Sequence, residues 1–139
     1  MKVTLLNRPT LHTDFKKKWQ YCLTNPVSYL IEGVQIPNCN VFSDHDQSLG
    51  YVRSNKLTIR KGYAFDGMTN YPDSAQNLSD ALLHDWLYQT GIVSRLNADR
   101  LLRASMKSNK TPHRWLVFSG VRIFGWACYK KSDIRIELL

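Results

Sequence analysis

Residues 77–91 read NLSDALLHDWLYQTG, and the spacing of their apolar side chains decides the architecture. Leu78, Leu82, Leu83, Trp86 and Leu87 recur at the interval that lays one stripe along an α-helix, and Gly91 ends the pattern as a natural terminator. Before Pro72 a different period rules. In residues 18–31, Trp19, Tyr21 and Leu23, then Val27, Tyr29 and Ile31, fall on either side of Asn25 and Pro26, which reads as two short strands across a turn. Residues 34–41 repeat this more weakly, and residues 43–50 read as a polar loop. Leu57 and Ile59, followed by Gly62, Tyr63 and Phe65, predict a further strand running into a turn at Asp66 and Gly67.

Beyond Gly91 the helical period resumes. Asn97 is read as the cap of a second helix with Ala98, Leu101, Leu102, Ser105 and Met106 on its inner face. A third is expected from Pro112, suited to a first helical position, to about Tyr129. That segment is apolar nearly all round, so it is expected to pack on two sides. The short link of residues 91–96 makes the first two helices antiparallel neighbours. The expected class is therefore α+β: a β-rich N-terminal half of short antiparallel strands packed on a C-terminal three-helix unit with an antiparallel helical hairpin. Residues 1–139 are read as a single domain without repeat or linker.

Composition bounds the function. An apolar content of 43% suits a globular chain, and no stretch is charged or monotonous enough to read as disordered. Cys22, Cys39 and Cys128 are odd in number, far apart and without CxxC or zinc-site spacing, so no disulfide framework is expected. The first residues lack an apolar core of signal-peptide length, which points to residence in a cytoplasm. Residues 115–129 include Arg122 and fall short of the roughly 20 residues that cross a bilayer, so no transmembrane segment is expected. The net charge of +8 raises the question of an anionic partner: nucleic acid, a phospholipid surface or an acidic protein. The charge is dispersed along the chain, and no nucleic-acid module with aromatic and basic residues in register is present.

The chemistry-bearing residues cluster on the hairpin. Asp80, His84 and Tyr88 stand four apart on one stripe of the first helix, with Asp85 about 100° round from His84. Asp99, read as lying in the first turn of the second helix, is within plausible reach of His84 across the hairpin. A carboxylate there fixes the imidazole tautomer and steadies the imidazolium formed when the ring takes a proton. Asp85 points aside, where Asp66, Asn70 and backbone carbonyls of residues 65–70 supply hard oxygen ligands suited to Ca²⁺ or Mg²⁺. A general base, its orienting acid and a carbonyl-polarising cation together make a hydrolytic set.

Two resemblances follow from these residues. AFDGMTNYP, ALLHDWLY, NADRLLRASM and VRIFGWACY, in that order over residues 57–129, resemble a small domain-of-unknown-function family of tailed phages and prophages. The site resembles that of phospholipase A2 domains, particularly the disulfide-free forms of parvovirus capsids. That likeness implies His84 as the base that activates water, Tyr88 and Asp99 as its support, Asp85 as a calcium ligand, and residues 66–70, with Asp66 and Asn70, as the calcium loop. It implies a Ca²⁺-dependent ester hydrolase acting on a phospholipid, although the GxG-type loop of that family is lacking.

Each residue also has an ordinary account. His84 is satisfied by Asp80 or a carbonyl; Asp99 is a first-turn acid favoured by the helix dipole; Asp66 and Gly67 are only a turn. Trp115, Phe118, Phe124 and Trp126 are expected in the core, the competing account being a lipid-binding surface flanked by Arg122, Lys130 and Lys131. Two other functions compete with the hydrolase. One is a non-catalytic virion or host-interaction protein that keeps the hairpin as scaffold, bound to another phage or host protein. The other is a His-Asp metal-dependent phosphohydrolase, for which His45 and Asp133 would have to complete the ligands. The expected location is the cytoplasm of an infected bacterium or the virion.

Overall fold

The structure is a computed structural model that describes residues 1–14, 20–65, 75–129 and 133–139. Eight strands come first: β1 (Lys2–Leu5), β2 (Leu11–Asp14), β3 (Gln20–Leu23), β4 (Val27–Glu32), β5 (Cys39–Ser43), β6 (Ser48–Arg53), β7 (Lys56–Ile59) and β8 (Ala64–Phe65). Helices α1 (Ala75–Thr90), α2 (Arg95–Ser108) and α3 (Arg114–Phe124) follow, then a 3-10 turn at Gly125–Ala127 and the strand β9 (Ile134–Leu138). The fold is α+β, as the change of period predicts.

The strands form two sheets, a six-stranded one in the order β1-β4-β7-β6-β5-β9 and a three-stranded one in the order β2-β3-β8. Every pairing in both is antiparallel. Alternation along β4 buries Val27, Tyr29 and Ile31, and Val52, Leu57, Ile59, Cys39 and Val41 extend the same core across the neighbouring strands. Helix α1 completes it with Leu82, Leu83, Trp86 and Leu87, all buried; each such side chain contributes about 1.5–3 kcal/mol.

Two contacts key α1 to the large sheet. Tyr29 Oη donates to the carbonyl of Ser79 at 2.7 Å, and Trp86 Nε1 donates to the carbonyl of Leu49 at 3.0 Å. Gly50 makes room for the indole: a Cβ there would lie 3.1 Å from the Trp86 ring and 2.3 Å from the Thr58 carbonyl oxygen, with φ at +152°. Helix α1 is thereby held at a fixed rotation, which decides what its polar stripe faces.

The structure corrects several expectations. Strands β3 and β4 are both present around Asn25 and Pro26 but do not pair; the chain there crosses from one sheet to the other, and Asn25 Oδ1 accepts from the amide of Thr10 at 2.8 Å. The third strand of the reading begins only at Cys39, and β6 begins inside the expected 43–50 loop. Helix α2 is capped by Ser94, whose Oγ accepts from the amide of Asn97 at 3.1 Å, so Asn97 lies within the first turn. The largest correction concerns α3. It starts after Pro112, at Arg114, and none of its residues is buried. With α1 and α2 supplying the helical part of the core, α3 lies on α2 through polar and cation-π contacts. Arg95 donates to the carbonyls of Val121 and Arg122, both at 2.9 Å, and the Arg103 guanidinium sits 4.2 Å from the Trp115 ring centre and 4.5 Å from that of Phe118.

Candidate active site

The polar stripe of α1 faces α2, and each of its members finds a partner there. His84 Nε2 lies 2.8 Å from Asp99 Oδ1, and Tyr88 Oη donates to the same oxygen at 2.5 Å. Asp99 Oδ2 accepts from Arg122 of α3 at 2.9 Å, with Arg95 at 3.9 Å one turn earlier on α2. The carboxylate is fully buried and the imidazole nearly so, the His84 residue being 7% exposed. Since α2 begins at Arg95, Asp99 stands in its second turn, and the first-turn dipole account of that residue lapses.

These contacts set the protonation pattern. Burial pushes the Asp99 carboxyl up, but the hydrogen bonds from His84, Tyr88 and Arg122 outweigh it and hold the group below its ordinary value. An ionised carboxylate only accepts, so His84 Nε2 carries the hydrogen of that bond and, in the neutral ring, the lone pair is on Nδ1. Nδ1 meets no hydrogen-bond partner among the described residues. Tyr88 is raised well above the usual phenol value by burial and then by its bond to Asp99, which keeps it a donor. Its ring centre lies 4.1 Å from that of His84, closing one side of the imidazole.

Three residues that sequence reasoning did not assign to the site support it: Arg95, Arg122 and Gly125. A Cβ on Gly125 would stand 2.6 Å from Tyr88 Oη and 3.1 Å from its ring, so the absence of a side chain there lets Tyr88 reach Asp99. Arg122 and Gly125 both lie in the VRIFGW stretch, the one available signal. Asp80 takes no part. Its carboxylate accepts from Ser105 at 2.5 Å and from Asn109 and Thr111, both at 2.7 Å, which ties α1 to the far end of α2. The account in which Asp80 satisfies His84 is thereby corrected. Burial raises the Asp80 carboxyl above its ordinary value, against the lowering effect of those three bonds.

Asp85 is half-buried beside His84, on the face of α1 that also carries Gln89, and Tyr63 Oη, just before β8, donates to Gln89 Oε1 at 2.6 Å. The other expected cation ligands, Asp66 and Asn70, lie outside the described residues. Among the described residues no three His, Cys, Asp or Glu side chains gather to hold a metal. His84, Asp99 and Tyr88 are the expected site residues that the structure brings together. His45 is exposed in the turn between β5 and β6, 3.7 Å from Asp44, and Asp133 is exposed ahead of β9.

A family model described as a protein of unknown function (DUF1353) matches residues 46–121, more than half of the chain. The chain belongs to the DUF1353 family. No curated protein and no solved structure matches it. The DUF1353 match runs from the turn before β6 to the last full turn of α3, taking in His84, Asp85, Tyr88 and Asp99, while Arg122 and Gly125 stand immediately beyond it. Both halves of the Trp86–Gly50 contact also fall within the DUF1353 segment.

Proposed function

We propose that this chain is a phage-type hydrolase whose site works like that of phospholipase A2, cleaving a carboxylic ester of a phospholipid with His84 as general base. The observation that carries the reading is the buried hydrogen bond from His84 Nε2 to an Asp99 carboxylate that Tyr88 and Arg122 also hold. His84 Nδ1 takes a proton from water as its oxygen attacks the ester carbonyl, and the imidazolium returns that proton to the departing alkoxide. Asp99 steadies the ring charge between the two transfers, and Tyr88 keeps Asp99 in place. The resemblance that motivates this reading also brings a calcium ion at Asp85, Asp66 and Asn70, and the test includes it. Fatty-acid release from mixed liposomes is measured with calcium and with chelator. Wild type is expected to release fatty acid with calcium, to fall to background with chelator, and to lose at least a hundredfold in the His84→Ala variant. Release that His84→Ala leaves unchanged removes the reading.

A second reading is favoured by the arginines. Arg95 and Arg122 bind α3 to α2 through Asp99 and the carbonyls of residues 121 and 122, so the same carboxylate serves as a structural hub. In that reading the hairpin is a scaffold for a virion or host-interaction protein, in the infected cytoplasm or the particle. It expects co-purification with a phage or host protein that His84→Ala does not disturb.

A further inference from the structure

Helix α3 is built inside out. Its arginine Arg122 points inward to Asp99, while Leu116, Ile123 and Phe124 point outward at 72%, 63% and 76% exposure, joined by Trp115 at 59% and Trp126 at 72%. Scattered exposed apolar residues need no explanation, but five large ones on and just beyond an 11-residue helix form a patch. Between them, Gly120 faces open space: beyond its chain neighbours and the backbone of its own helix, no atom lies within 4 Å of where a Cβ would stand.

The charge around the patch is one-sided. From residue 100 to residue 132 the chain carries eight Lys and Arg and no Asp or Glu, while the rest of the chain carries eleven of each sign. The whole net charge of +8 thus belongs to the segment that contains α3. The fold concentrates it further: Arg100, Arg103 and Lys107, three and four apart on α2, line a cavity of roughly 380 Å³ together with Arg114 and Trp115 of α3. Among the described residues no acidic side chain lines that cavity, nor do His84, Tyr88 or Asp99.

We propose that α3 and this cationic groove form a docking surface for an anionic phospholipid membrane, the apolar face entering the headgroup boundary and the groove receiving phosphate headgroups. Aliphatic side chains beside tryptophans, next to a groove lined by Arg100, Arg103, Lys107 and Arg114, are the composition of an interfacial helix. A second copy of this chain fits poorly, because it would set one unopposed positive surface against another, and nucleic acid offers no apolar phase for Leu116, Ile123 and Phe124. No helix among the described residues is long and apolar enough to cross a membrane, so the contact is one of lying on the surface. Arg122 and Gly125, which alternate with Phe124 and Trp126, touch Asp99 and Tyr88, so a membrane on α3 lies at the edge of the His84 site.

The test is flotation of the full chain with phosphatidylcholine vesicles, with and without phosphatidylglycerol. Binding is expected only with the anionic lipid and is expected to weaken as salt is raised. The pair Phe124→Ala and Trp126→Ala should lower vesicle affinity at least tenfold, and Arg100→Gln with Lys107→Gln roughly fivefold per basic side chain removed. All four side chains lie at the surface, so helical circular dichroism and the melting temperature should stay at wild-type values. No binding to anionic vesicles, or binding that the apolar pair leaves untouched, overturns the proposal. So does a single-stranded oligonucleotide that binds more tightly than the vesicles and loses affinity in the same variants, or a dimer in solution that Phe124→Ala dissolves. The surface stands apart from the hydrolytic reading. His84→Ala should float like wild type, and vesicle binding without fatty-acid release would keep the surface while removing the hydrolase.

Discussion

Two buried aspartates face each other's helices across the hairpin and respond to pH in opposite directions. Asp99 is held below the ordinary carboxylate value of 3.8, so its ionised form favours the fold; that contribution is complete above the ordinary value and is lost as pH falls through the lower folded value. Asp80 is raised above 3.8 by burial, so the fold favours its protonated form; that contribution is complete at low pH and is lost as pH rises through the raised folded value. Urea melts at a series of pH values should therefore show the advantage of wild type over Asp99→Asn shrinking toward acid, and wild type losing ground to Asp80→Asn toward neutrality. Parallel curves for the two variants would contradict the assignment. Gly125 gives a second check. Gly125→Ala places a methyl 2.6 Å from Tyr88 Oη and should cost about 1–2 kcal/mol in the same melts, with a fall in any His84-dependent activity. A neutral effect would mean that Tyr88 is not held against Asp99 by that contact.

At the level of elements, what the sequence made legible was the side of α1 and α2 that carries the core. Leu82, Trp86 and Leu101 announce it by period, and the same period places His84, Tyr88 and Asp99 on facing stripes. Hydrophobic period was no guide to α3, because an apolar helix reports that it needs cover and not which molecule supplies it. Arg122, an apparent solvent-side charge, is the residue that turns inward, since a buried carboxylate attracts it more strongly than the core attracts Phe124. This makes a sharp prediction. Phe124→Ser should change stability by no more than about 0.5 kcal/mol if the side chain lies in solvent, where the packed helix expected from composition would lose about 3–5 kcal/mol. Strands β1, β2 and β9 escaped the reading because all three are short edge strands, of four, four and five residues.

Taken whole, the molecule is a hairpin of two helices keyed to an antiparallel sheet by Trp86 and Tyr29, with a third helix pinned across it by the carboxylate that also holds the histidine. The His84–Asp99 pairing follows from helical spacing and a short connection, and both are visible in residues 77–99. The expected cation loop was read only from residue types at Asp66 and Asn70, because loop geometry has no period to read, and both lie outside the described residues. The proposed membrane surface and the proposed proton-transfer site meet at Arg122 and Gly125, whose neighbours face outward and whose own contacts reach Asp99 and Tyr88. The account rests on one chemical state: Asp99 as an ionised acceptor, Nε2 of His84 bearing hydrogen, and Nδ1 free to take a proton. Ring-nitrogen NMR on the ¹⁵N-histidine-labelled chain, at a pH where the His84 imidazole is neutral, observes that state directly. The account predicts a hydrogen on Nε2 and a bare Nδ1; a hydrogen on Nδ1, or an even mixture of the two tautomers, would contradict it.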